Sequence, residues 1–418
     1  MFIMLNTGDT AFMLISTALV LFMTPGLIFF YGGLVQRKNV LNTMMTSLFI
    51  MGLASVMWVA FGYSLSFSGD SGSVVGDLQL IFLNGVKGED LSAYAPSIPT
   101  YVFIAFQMMF AIITPALITG SVIGRMRFKA IFIFIALWSI VVYYPLAHMV
   151  WGAGGFLGSV LGSVDFAGGN VVHISSGISG LVLALMLGKR KGFREVNYRM
   201  HNVPFVILGG SILWFGWFGF NAGSALAANG LAAHAFLTTN TSAACAMLSW
   251  MLIDQIIHKK TTATGAITGA VIGLVAITPG AGFVPLWASM IIGLFVSPVC
   301  YFTMSVIKRK FGYDDALDAF GCHGIGGIYG GIMTGVFASH SVNEFPRWQG
   351  LVFGDYKLFL AQLASIGITI VIAVVGTFIC ASIVKIFTPL RVSDYDEKVG
   401  LDISQHGESA YPSFNGMD

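Results

Sequence analysis

Charge is what this sequence has least of. Of its 418 residues only 10% are Asp, Glu, Lys or Arg, while 56% are apolar or aromatic. A water-soluble domain of that make-up would be left with large contiguous apolar patches, which soluble monomers avoid. Strict apolar–polar alternation is also missing, and that excludes a transmembrane β-barrel. The four cysteines (Cys245, Cys300, Cys322 and Cys380) have no paired spacing. They read as free thiols serving as small apolar residues. No phosphate-binding loop of Walker type occurs, which argues against ATP-driven chemistry. A cleavable leader is not expected either: the first apolar run lacks a basic flank, follows Asp9 and is long enough to span.

What is present is a series of apolar runs of the length that crosses a bilayer core as a helix, about 20 residues each. Hydropathy predicts an all-α polytopic membrane protein with eleven spans: 9–31, 41–67, 99–121, 129–148, 170–188, 203–225, 232–256, 263–278, 285–306, 318–338 and 356–386. The last is longer than a straight crossing needs and should tilt or extend beyond the membrane. Abundant glycine, 51 residues, suits helices that pack backbone to backbone in lipid.

The basic residues orient the chain. With the N-terminus outside, all but three of the 21 Lys and Arg fall in inside loops or the tail, among them Arg37, Lys38, Arg125, Lys191, Lys308 and Arg391. The exceptions are Lys87, Arg347 and Lys357. The bias predicts an N-out, C-in topology. Residues 1–389 are then the membrane domain and 390–418 a cytoplasmic tail. An acidic outer loop at 68–98 carries Asp70, Asp77, Glu89 and Asp90. Neither soluble segment is long enough to hold a catalytic domain, so no enzyme activity is expected.

Two stretches repeat at a separation of 150 positions. Asp165-Phe-Ala-Gly-Gly-Asn-Val-Val-His173 leads into Gly177, Ile178 and Gly180. Asp318-Ala-Phe-Gly-Cys-His323 leads into Gly327, Ile328 and Gly330. The first enters from outside and the second from inside, so the halves at about 1–188 and 201–338 form an inverted five-helix repeat with helix 11 added. Such repeats commonly hold a substrate path at their interface. His173 and His323 lie within apolar segments, where an ionisable group is costly and marks a functional site by default. The other six histidines fall at span ends, in loops or in the tail. Hydropathy alone puts His173 toward one side and His323 toward the other; they meet only if the glycine-rich stretches before them also dip inward. Asp165 and Asp318 stand where carboxylates cap helix N-termini.

Three aromatic clusters complete the pattern: Phe106-Gln107-Met-Met-Phe110, His148-Met-Val-Trp151, and Trp214-Phe-Gly-Trp217-Phe-Gly-Phe220-Asn221-Ala-Gly-Ser224. Phenyl and indole faces with one hydroxyl acceptor form a good site for a small cation. A membrane-interface belt accounts equally for Trp151, and a redox protein holding haem or metal could also use two membrane histidines.

Together with Phe-Tyr31-Gly-Gly-Leu, Lys38-Asn39-Val, Leu390-Arg391-Val and Gly400-Leu401-Asp402…His406-Gly407-Glu408, these motifs resemble the ammonium transporter (Amt/Mep/Rh) family, most of all its bacterial and archaeal branch. The resemblance covers nearly the whole chain. It implies ammonium recruitment at Phe106, Trp151 and Ser224, a phenyl gate at Phe110 and Phe220, and a pore lined by His173 and His323. Asp165 would shape the recruitment site, with Asp318 as its structural counterpart. It further implies a homotrimer in the cell membrane with one pore per subunit. Its partners would be ammonium or ammonia and a PII-type regulatory protein at the tail, with no cofactor, metal or nucleic acid. An ammonium sensor sharing these residues is the alternative.

Overall fold

The computed structural model describes residues 5–69, 71–195 and 199–411. Asp70 and the last seven residues of the tail therefore lie outside the described residues. Within these bounds the chain is helical, with three isolated backbone bridges and no strand. Among the described residues nine helices are long and apolar enough to cross a membrane: α1 (Thr7–Leu34), α2 (Arg37–Phe67), α3 (Thr100–Val122), α4 (Phe128–Val160), α5 (Gly169–Leu187), α6 (Val203–Ala225), α7 (Gly230–His258), α9 (Leu286–Phe311) and α11 (Lys357–Phe387). Two further segments read as spans are helical but shorter or less apolar: α8 (Ala263–Ile277) and α10 at residues 320–337.

Polar side chains at loop ends start several of these helices. Asn6 accepts from the Asp9 amide at 3.0 Å, Asn202 from Phe205 at 3.0 Å, and Thr262 from Gly265 at 2.9 Å. Each satisfies an amide that the first helical turn leaves free.

The halves pack as an inverted pair. A Cβ added at Gly33 in α1 would sit 2.6 Å from the Asn202 carbonyl oxygen, at the start of α6. One added at Gly216 would sit 2.7 Å from that of Leu19. Position rises in one helix as it falls in the other, so α1 and α6 run antiparallel. In the same way Gly177 of α5 lies against the Gly324 backbone of α10, while a Cβ at Gly327 would reach the Cβ of His173 at 3.0 Å. Small residues let the backbones approach that closely.

Non-helical stretches precede both α5 and α10, and both run inward. The Phe166 amide donates to the Pro279 carbonyl at 3.0 Å, beyond the end of α8. The Ala316 amide donates to Ser121 at 3.3 Å, at the end of α3. These are repeat-related bonds, and they carry the two histidine-bearing helices toward one level. Helix α11 straps α5 in place through paired Gln362–Val164 bonds of 2.8 and 2.9 Å, Asn170–Ser365 at 2.8 Å and Thr377–Ser179 at 2.7 Å. With 31 residues it is roughly 46 Å long, well beyond a core of about 30 Å, and agrees with the expected overlength.

The tail folds back on the face that carries the basic loops. Arg391 donates to the Leu187 carbonyl at 2.9 Å and to Glu397 at 2.7 Å. Glu397 in turn accepts from the Lys191 amide at 2.7 Å. The Asp402 carboxylate accepts from the Asn42 amide at 2.8 Å, capping the start of α2 from another part of the chain. Beneath the tail, Arg125 is fully buried and donates to the Asp314 carbonyl, while Arg190 grips the Asp314 carboxylate at 2.7 to 3.2 Å. Burial alone would raise the Asp314 carboxyl, but the Arg190 bonds and the two guanidinium charges outweigh it and hold it below the ordinary range.

Candidate functional site

The two histidines meet. His173 Nδ1 and His323 Nδ1 are 3.3 Å apart, with ring planes 17° from parallel, across a sequence separation of 150. Each stands in a wide π-type turn that opens its helix, Gly169–Ile174 and Phe320–Ile325. Such turns recur at functional sites because they re-aim one side chain without ending the helix. Both residues are buried. A hydrogen bond between two Nδ1 atoms needs one to donate and the other to accept, so at least one ring is neutral. His173 Nε2 is buried and has no hydrogen-bond partner. That atom therefore holds unused capacity.

A narrow cavity of about 20 Å³ adjoins the pair, walled by Leu27, Tyr31, Val172, Trp217 and Phe220 among others. A cavity needs about 10–15 Å³ of this kind to hold one water-sized molecule. It thus fits one small neutral guest, in nearly apolar surroundings. Phe30, Leu317 and Cys322 line this cavity and also a wide vestibule of about 580 Å³ that opens on the basic face. Those three residues form the partition between them.

On the other side, aromatic rings cover the histidines. Phe110 and Phe220 pack with centroids 4.3 Å apart and ring planes tilted by 34°, and Phe220 lies over His173 at 6.0 Å with a 25° tilt. Both phenyls are about 1% exposed, so the rings close off the histidines on this side. Above them Phe106 meets Phe110 edge-on at 5.0 Å and Trp151 meets it at 5.9 Å. Ser224 donates its hydroxyl hydrogen to the Phe220 carbonyl at 2.8 Å, which leaves the oxygen lone pairs available as acceptors. Ring faces and a free acceptor together can attract a small cation.

Asp165 turns its carboxylate to backbone amides rather than to these rings. Its carboxylate accepts from the amides of Gly168 at 2.8 Å, Gly169 at 2.6 Å, Asn170 at 2.7 Å and Val171 at 3.4 Å. Its backbone carbonyl accepts the Trp151 indole N–H at 2.9 Å. It is a helix cap that also fixes Trp151.

Asp318 departs from the expected role. Its side chain pairs with Lys308 at 2.7 Å instead of capping α10. The cap comes from Asp315, whose carboxylate accepts the Phe320 amide at 2.9 Å, five residues on, just as Asp165 accepts Asn170. The constant offset of 150 positions also pairs Asp165 with Asp315, so alignment on the separation, rather than on the nearest carboxylate, finds it. Trp217 is a second residue whose part the sequence does not single out. It stacks on His173 at 5.4 Å and 22°.

Comparison with known proteins accords with this arrangement. The chain matches the Ammonium Transporter Family over residues 11–411. It is 51% identical to an ammonium transporter of Bacillus subtilis (strain 168) over 407 residues, covering 97% of this chain and 99% of that one. The crystal structure of Candida albicans Mep2 superposes with a TM-score of 0.88 at 33% identity, covering 97% and 91% of the two chains. A structure described as a sensor Amt protein superposes at 0.85 with 26% identity, over 96% and 98%. With its paired, repeat-related histidines beneath closely packed aromatic rings, this chain is a multi-pass membrane protein that belongs to the ammonium transporter family.

Proposed function

We propose that the protein moves ammonium nitrogen across the membrane by recruiting the cation at Phe106, Trp151 and Ser224 and conducting ammonia past His173 and His323. The observation that carries this reading is the buried histidine pair beside a cavity sized for one small molecule and roofed by Phe110 and Phe220. Ammonium and potassium ions are alike in charge and size, so an open hole cannot separate them. An apolar passage can. Taking an unpaired ion into it costs tens of kcal/mol in the idealised limit, whereas a neutral amine loses only its hydrogen bonds. Potassium has no proton to shed. Ammonium gives its proton to solvent water on the outer side of the phenyl gate, its N–H bond breaking as the water's O–H bond forms, and ammonia then passes to the unpartnered His173 Nε2 and on to the vestibule. Charge that follows the ammonia is worth about 2.3 kcal/mol per 100 mV per elementary charge, enough to concentrate the substrate.

The eleven-span, N-out, C-in arrangement goes with this reading, since it sets the recruitment cup outside and the vestibule in the cytoplasm. A homotrimer with one pore per subunit, and a PII-type protein at the basic face and tail, complete the proposal. The likeness to a sensor Amt structure supports a second reading, in which the same site binds ammonium and signals with little flux. One experiment separates them. Purified protein in liposomes should take up ammonium, and His173→Ala should lower the uptake or relax its selectivity over potassium. Binding without uptake would favour the sensor. Unchanged selective uptake by His173→Ala would refute the role of the pair.

A further inference from the structure

We propose that Thr278 is a positioning residue for His173, acting through the indole of Trp217; this rests on the transport reading above. Among the described residues the His173 ring has one hydrogen bond, its Nδ1 to that of His323, and its Nε2 has none. Its plane is otherwise set by what lies against its faces, and one of those neighbours is Trp217, nearly parallel at 22° and 5.4 Å. Trp217 is itself buried in the middle of the fold, with a single polar atom to anchor it. That atom, Nε1, donates to Thr278 Oγ1 at 2.9 Å. The Thr278 hydroxyl is aimed in turn by donating to the Leu274 carbonyl at 2.7 Å, four residues earlier. A chain of two bonds thus runs from the end of α8 to the face of the histidine.

The same turn holds the histidine from the other side. The Pro279 carbonyl accepts the Phe166 amide at 3.0 Å, and a Cβ at Gly169 would sit 2.6 Å from the Pro279 ring. Residues 278–279, from the second half of the repeat, therefore fix both the start of the helix that carries His173 and the ring that faces it. Thr278 does not itself line the cavity; it touches the wall only at Trp217. Its effect on His173 passes through Trp217.

Losing the hydroxyl leaves a buried indole N–H without a partner, which a buried donor tolerates poorly. Full-length protein in liposomes should show a fall of about five- to tenfold in maximal ammonium uptake for Thr278→Val, the fold-change of a lost buried bond. The half-saturating concentration should stay put, because the Phe106, Trp151 and Ser224 cup is untouched. Thr278→Ser keeps the hydroxyl and should stay within about twofold of the natural protein, since the bond survives. Trp217→Phe removes the donor from the other end, and adding Thr278→Val to it should cost nothing further. Natural rates in Thr278→Val, equal loss in Thr278→Ser, or additive loss in the double variant would each overturn the proposal. If Thr278→Val fails to assemble, natural rates in Trp217→Phe overturn it instead. Nitrogen-15 shifts of the histidine rings read the same positioning without flux: Thr278→Val must move them and Thr278→Ser must not. An absence of uptake by the natural protein would sink the transport reading alone.

Discussion

Removing the Asp165 carboxylate tests whether that residue builds the proposed recruitment cup or binds the ion. Three backbone amides lie within 2.8 Å of its oxygens, and a fourth is at 3.4 Å. In Asp165→Ala the three near donors stay buried and lose their acceptor, each at about 1–3 kcal/mol, so the turn loses roughly 3–9 kcal/mol. Water entering the gap offsets part of this, and the lower end is the expected value. That still exceeds the 0.5–2 kcal/mol, or about that, of an ordinary helix cap. The Asp165 carbonyl that holds the Trp151 indole must shift with the turn. Asp165→Asn keeps one oxygen and turns an N–H₂ toward donors, so it should fall between the natural protein and Asp165→Ala. Thermal unfolding in detergent and ammonium uptake in liposomes should therefore fall together and in that order. Natural stability with loss of ammonium binding alone would refute the argument and make Asp165 a direct ligand.

Two further outcomes follow from the same geometry. Ser224→Ala combined with Trp151→Leu should weaken uptake at low ammonium while leaving the maximal rate largely intact; an unaltered concentration dependence would count against the cup. Acidification should loosen the tail. Burial lowers the pKa of His406, with Asp402 and Glu408 pulling it partly back, and burial also lowers that of His201, which meets Tyr411 at 3.1 Å. A depressed histidine favours the docked tail above its ordinary value near 6.5, and that contribution is lost as pH falls through and below it. Burial pushes the Asp402 carboxyl up, which acts in the opposite sense but in the lower carboxylate range. Protection of the amides across residues 400–411, corrected for the intrinsic pH dependence of exchange, should thus fall between about pH 7.5 and 5.5, and a flat protection profile would contradict it.

Hydropathy found each helical segment because a run of apolar residues is a local property. The lengths of α8 and α10 were less legible: these helices sit among protein and share their crossings with non-helical stretches, so bilayer-length runs are not required of them. The duplicated His-Gly pattern pointed to the site, yet His173 and His323 meet only through two backbone bonds from loops to distant helix ends, which no local pattern encodes. Asp315 was hidden by its neighbour. Asp318 stands closer to the histidine and looks the better cap, but the side chain that reaches the helix amides is decided by the turn between them. Phe106, Phe110 and Phe220 carried a signal in their clustering, whereas the stacking of Trp217 on His173 is tertiary. The tail's acidic residues were visible as charges, and their service to the loops and to the start of α2 was not.

The most direct test of the account is the current across a lipid bilayer holding this protein when ammonium, and then potassium, is applied at equal concentration, with internal pH followed at the same time. Ammonium should give a protein-dependent signal in current, internal pH or both, and potassium should give none. Equal potassium and ammonium currents would contradict it, as would the absence of any ammonium-driven signal from correctly folded protein.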